Sequence, residues 1–128
     1  MTNDWLADGI TRLRNGSVRG LEKVSLNRTN LVLQVLDKLQ SLGFIENFSC
    51  GENNRDVEVR LKYYDNKPVI KYIKKISKCS RRMYSGIDSL PKSKSSFGVF
   101  ILSTNKGVLS HMEAKRQKAG GELLLEVF

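Results

Sequence analysis

Apolar residues recur along this chain at two spacings, every third or fourth position in some segments and every second in others. In TNDWLADGITRLRNG, Leu6, Ile10 and Leu13 share one helical face with Trp5 beside them, which predicts a first helix. Thr2 or Asn3 is placed to cap it, Asp4 falls in its first turn, and Asn15-Gly16 is expected to end it. A short strand, KVSL, follows. RTNLVLQVLDKLQSLGF then carries Val32, Val35, Leu36, Leu39 and Leu42 as one stripe, between an N-cap at Thr29 and a C′ glycine at Gly43. FIENF reads as a strand and SCGENNRD as a polar loop. VEVRLKYY alternates strictly, with Val57, Val59 and Leu61 inward and Glu58, Arg60 and Lys62 outward. With Asp65-Asn66-Lys67 as a turn, PVIKYIKKI is expected to return as the second arm of a hairpin.

The pattern changes at SKCSRRMYSG, where Lys74, Lys75, Lys78, Arg81 and Arg82 crowd together, and again in the Pro- and Ser-rich loop LPKSKSS. Beyond it, Phe97 to Leu102 and Glu122 to Phe128 read as strands. Between them lie the polar loop STNKG, a capping box formed by Ser110 and Glu113, a short helix to about Lys118, and Gly120 as its left-handed terminator. The expected fold is α+β in two small subdomains. Residues 1–74 form an N-terminal α-β-α-β-β unit, and residues 77–128 a mostly β unit with one short helix.

Composition adds a direction. The 128 residues carry a formal net charge of +9, which favours a polyanionic partner, nucleic acid ahead of an anionic membrane. Cys50 and Cys79 lack the spacing of a staple or a zinc site, and His111 is the single histidine, so two free thiols and no metal or other cofactor are expected. No apolar run reaches the ~20 residues that cross a bilayer, and MTNDWLADGI has no basic-then-apolar secretory pattern. His111 has no triad partner and reads as a surface residue; STNKG places its glycine after the lysine, unlike a phosphate-binding loop of a nucleotide hydrolase. No enzymatic activity is expected.

Binding chemistry fits better. Ser103, Thr104 and Asn105 both donate and accept, which suits 2′-hydroxyls, phosphate oxygens and base edges; Lys106 supplies a positive charge, and Gly107 permits a close turn. Gly120, Gly121 and Glu122 would make a second polar corner. The run ILSTNKGV…EAKRQKAGGELLLEV resembles the C-terminal part of the bacterial and organellar small-subunit ribosomal protein S-eight family. ADGITRLRNG, GFIENF, Ser77-Lys78…Arg82-Met83-Tyr84 and Leu90-Pro91 before Gly98 are similar to other blocks of that family, so the likeness covers essentially the whole chain.

The resemblance implies a monomeric two-domain protein that binds an irregular helix in the central domain of small-subunit ribosomal RNA, supports subunit assembly, and meets neighbouring ribosomal proteins. It places Ser103, Thr104, Asn105, Lys106, Gly107, Gly120, Gly121 and Glu122 on the RNA, with Tyr84 and Arg82 beside them, and turns Arg12, Arg14 and Asn15 toward neighbouring RNA. The alternative is a translational repressor that binds a messenger RNA imitating that site. The sequence departs from the family where Cys79-Ser80 replaces Pro-Gly, Trp5 replaces proline, Ser93 and Ser96 stand at an apolar and a glycine position, and Asn105 replaces a frequent serine. Those departures lean, within a choice of bacterial cytoplasm or organelle matrix, toward a mitochondrial over a plastid member.

Overall fold

The computed structural model describes residues 4–52, 55–77, 84–86 and 98–128, in two compact units, Met1–Lys71 and Tyr72–Phe128. In the first unit, α1 (Trp5–Arg19), β1 (Lys23–Asn27), α2 (Asn30–Ser41), β2 (Ile45–Cys50) and β3 (Asp56–Leu61) precede a two-residue-per-arm hairpin of β4 (Tyr63–Tyr64) and β5 (Lys67–Pro68). The strands run in the order β1-β3-β2, antiparallel throughout. Leu6, Ile10 and Leu13 on α1 and Val32, Val35, Leu36 and Leu39 on α2 are buried, as are Val57, Val59 and Leu61 of the alternating strand. Leu42, the last member of the predicted stripe, is the C-cap of α2 and only half-buried. Thr29 Oγ1 accepts from Val32 N at the start of α2. At its end Gly43 N donates to Gln40 O and Phe44 N to Leu39 O, with Gly43 at φ 87°, a Schellman motif on the expected glycine.

Helix α1 departs from expectation at both ends. Asp4 lies before its first turn and caps it, accepting from Ala7 N at 3.0 Å; Thr2 and Asn3 lie outside the described residues. Asn15-Gly16 does not end the helix, which continues to Arg19 and stops on Gly20 at φ 72°. Gly16 is there for space, since a Cβ on it would lie 2.5 Å from Val24 Cγ1.

The hairpin expected of PVIKYIKKI is also corrected. The turn at Asp65-Asn66 exists, both residues at positive φ (54° and 61°), but it closes only β4 on β5, as a primed two-residue turn does. The next strand, β6 (Ile73–Lys75), pairs with β10 (Gly121–Val127) in the second unit. Strand β3 takes β1 and β2 as its neighbours instead, which leaves it no edge for a third partner.

The second unit holds β6, β7 (Tyr84–Ser85), β8 (Val99–Thr104), β9 (Gly107–Ser110), α3 (His111–Gln117) and β10, in the order β6-β10-β8-β9, with β7 also on β10. Phe97, expected to open β8, lies outside the described residues. STNKG is therefore not a loop running into a helix but the end of β8, a two-residue turn and the start of β9. The pairing of β10 with β8 shifts between Leu123 and Leu125, a bulge at Leu124. Phe100, Leu102 and Leu123 form a buried cluster with Ile76 against it. The capping box of α3 is present, Glu113 N donating to Ser110 Oγ and Ser110 N to Glu113 Oε1. Its left-handed terminator, however, is Lys118 at φ 53°, not Gly120.

Candidate nucleic-acid interface

Register puts the predicted residues side by side. Thr104 pairs with Gly107 across the β8–β9 turn, so Asn105 and Lys106 form its tip. Gly107 carries φ 111°, the position a glycine bulge after a hairpin turn requires. The hydroxyl of Thr104 stiffens this turn from within, donating to Gly107 O at 2.8 Å and accepting from Lys106 N at 3.1 Å. Lys106 Nζ donates to Gln117 O at 2.9 Å and so fastens the tip to the last turn of α3.

On the other side of β8, Gly121 faces Thr104 and Glu122 faces Ser103; across β10, Glu122 faces Tyr84 and Gly121 faces Ser85. Directly opposed residues share a sheet face. Ser103, Glu122 and Tyr84 thus form one row across three strands, and the two corners separated in the sequence are neighbours. Tyr84 is 69% exposed. Ser103 is half-buried.

Gly120 and Gly121 have a reason internal to the protein. A Cβ on Gly121 would lie 2.1 Å from Ser103 O, and one on Gly120 would lie 2.8 Å from Ser85 O. Both glycines let strands close up beside the row. Sequence reasoning gave Ser77 no role, yet it is fully buried and its Oγ donates to Glu122 Oε2 at 2.6 Å. A lone serine at the end of a short strand carries no periodic signal that would have singled it out.

The remaining candidates are placed differently. Arg82 lies outside the described residues. Arg12, Arg14 and Asn15 stand on the exposed side of α1 in the first unit. The Arg12 guanidinium is engaged there, with Asp8 Oδ2 at 3.1 Å and with Ser25 O at 2.8 Å on β1. His111 is not a solvated surface residue: its Nδ1 accepts from Phe100 N at 3.1 Å, and its ring meets Phe100 edge-on. Burial, then repulsion from Lys115, holds its pKa below the ordinary imidazole value.

Charge is uneven between the units. Met1–Lys71 carries 11 lysines and arginines against 9 acids, and Tyr72–Phe128 carries 11 against 4, so the second unit holds +7 of the net +9. In the first unit Lys23 Nζ is 3.3 Å from Glu58 Oε1, and Arg60 pairs with Glu22. Among the described residues no group of three or more His, Cys, Asp or Glu is placed to hold a metal, and no helix is long and apolar enough to cross a membrane.

Fold and row together define the class: an α+β protein whose basic unit presents hydroxyl, amide, carboxylate and phenol groups for hydrogen bonding. The family model described as Ribosomal protein S8 matches residues 4–128. Small ribosomal subunit protein uS8 of Nautilia profundicola is 42% identical over the full length of both chains. The protein of the same description from Pelagibacter ubique is 42% identical over 98% of each chain, and that from Brucella ovis 41% identical, likewise over 98% of each. The chain belongs to the ribosomal protein S8 family, a structural and non-enzymatic family of ribosomal proteins.

Proposed function

We propose that this chain binds small-subunit ribosomal RNA through the second unit, gripping an irregular helix of the central domain as the subunit assembles, beside other small-subunit proteins and as a single copy. The observation that carries this reading is the row Ser103–Glu122–Tyr84 beside the Asn105-Lys106 tip, in the unit that holds most of the positive charge. Regular A-form RNA hides its major-groove base edges in a deep, narrow groove, so rigid polar corners gain most where a helix is distorted. Lysines and arginines supply attraction to phosphate that is independent of sequence. An ammonium has three N–H donors, so Lys106 can keep Gln117 O and still meet a phosphate. Gly120 and Gly121 contribute by keeping β10 close to β8 and β7, and Gly107 by setting the turn. Arg12, Arg14 and Asn15 would serve a separate, weaker contact, with Arg12 already engaged on Asp8 and Ser25 O. The three relatives named above are bacterial, which favours a bacterial cytoplasm over an organelle matrix.

The test is the affinity of the purified protein for an isolated irregular central-domain helix and for a regular duplex of equal length, at several salt concentrations. A preference for the irregular helix that persists at ~200 mM salt is expected, because charge attraction alone fades steeply over that range. Equal affinities that collapse together would leave only charge attraction and sink the reading.

A further inference from the structure

Glu122 is out of place electrostatically. A carboxylate in the unit that carries +7 repels the phosphates the unit attracts. Its surroundings give it other work. Ser77 is fully buried, and its Oγ donates to Glu122 Oε2 at 2.6 Å. The same serine is held along β10 by its own N–H on Leu123 O at 3.1 Å, and its carbonyl accepts from Lys75 Nζ. The backbone of Glu122 meanwhile faces Tyr84 on one side and Ser103 on the other. The one carboxylate thus joins the end of the β6 segment to the row formed by β7, β10 and β8.

We infer that Ser77 is a positioning residue for the RNA interface, acting through Glu122; the inference rests on the RNA-binding reading above. The hydroxyl fixes the carboxylate by a charge-assisted bond whose donor is fully buried and whose acceptor is half-buried; such bonds are strong, and their loss leaves a group unsatisfied. With the carboxylate fixed, Tyr84 and Ser103 on either side of it keep a single spacing. Ser77 itself has no exposed surface with which to touch RNA.

The experiment uses the full chain with Ser77→Ala, Glu122→Ala, Glu122→Gln and the Ser77→Ala/Glu122→Ala double variant. It reads the ratio of affinities for the irregular helix and the regular duplex, the slope with salt, and the thermal midpoint. Each alanine variant is expected to lower the ratio about tenfold, the size of one hydrogen bond to a charged group. The double variant should lose no more than the worse single one, because one bond can be lost only once. The salt slope of Ser77→Ala should equal that of the wild type, since no cation has been removed. Glu122→Gln, whose amide oxygen still accepts from Ser77, should hold the ratio within about threefold. An unchanged ratio for Ser77→Ala, or losses that multiply in the double variant, would overturn the assignment. So would a Glu122→Gln protein as poor as Glu122→Ala, because the charge would then be acting on RNA directly. Should Ser77→Ala fail to fold, the comparison of Glu122→Gln with Glu122→Ala decides alone. A wild type without preference brings down the RNA-binding reading and this assignment together, whereas a wild-type preference that Ser77→Ala keeps brings down the positioning role only.

Discussion

A methyl group on Gly121 would lie 2.1 Å from the carbonyl oxygen of Ser103, and 3.1 Å from Thr104 Cα. Both are backbone atoms, so neither can turn aside as a flexible side chain would. Gly121→Ala is therefore expected to cost ~1–3 kcal/mol or more in urea unfolding, and to remove the preference for irregular RNA by parting β10 from β8. Gly9→Ala is the control, since its Cβ would meet only Leu26 side-chain atoms at 3.4 Å and beyond. In the interior of α1 that exchange should gain ~0.5–1 kcal/mol from helix propensity alone. A Gly121→Ala protein as stable as wild type would mean the strands yield where their geometry says they cannot. Glycine also marks where sequence reading fell short. It serves either a positive φ or a close approach, and both look alike in a string of letters. Gly43 was legible because a long stripe ended on it. Gly16 looked like a helix stop and is a contact with Val24; Gly120 looked like a terminator and is a contact with Ser85.

Among the elements, α3 shows how a helix can complete a sheet. Strand β9 ends at Ser110, opposite Ile101, and the next ladder donor, Phe100 N–H, is met by the imidazole of the following residue. That bond needs an unprotonated Nδ1, and burial with the Lys115 charge already lowers the pKa of His111. A group whose pKa is lower in the folded state contributes stability that is full above the ordinary value, about 6.5, and is lost as pH falls below it. The melting temperature should therefore drop between about pH 7.5 and 5, and His111→Gln, whose amide oxygen can still accept, should flatten that drop. Equal profiles for the two proteins would leave the histidine without the bond described. Periodicity made α1, α2 and β3 legible, and unbroken apolar runs did the same for β8 and β10. Neither could say which strand β6 joins. Partners are set by three-dimensional competition, and β3 was already occupied on both sides.

At the scale of the molecule, two units with equal numbers of lysines and arginines behave differently because their acids do not match. The salt dependence of RNA binding should follow the second unit. Neutralising Lys115 and Arg116 together should reduce its slope by as much as ~1.4–1.8 if both meet phosphate. Neutralising Lys23 and Arg60, which face Glu58 and Glu22, should leave it nearly unchanged. Equal reductions in salt titrations of the two double variants would show that the unit charges do not govern binding. Net charge was legible from composition, and two separate polar corners from their resemblance to one family; that they lie side by side came from the pairing of β10 with β8. The division of charge was not, because it depends on where the chain folds into units.

The bulge at Leu124 has a consequence for how β10 tolerates change. Leu102 and Ile101 are adjacent and face opposite ways, yet they pair with Leu123 and Leu125, two positions apart. Odd-numbered residues of β10 therefore swap faces at Leu124, so that Glu122 lies on the same side as Leu125 and Val127. The polar corner keeps one phase and the apolar stretch the other, with a single extra residue reconciling them. Removing Leu124 would make Leu123 and Leu125 successive on β10, as Leu102 and Ile101 are on β8, so every remaining side chain would keep its face and only the buried Leu124 side chain would be lost. An added residue, not a removed one, is the change of length that would turn one end of this strand inside out.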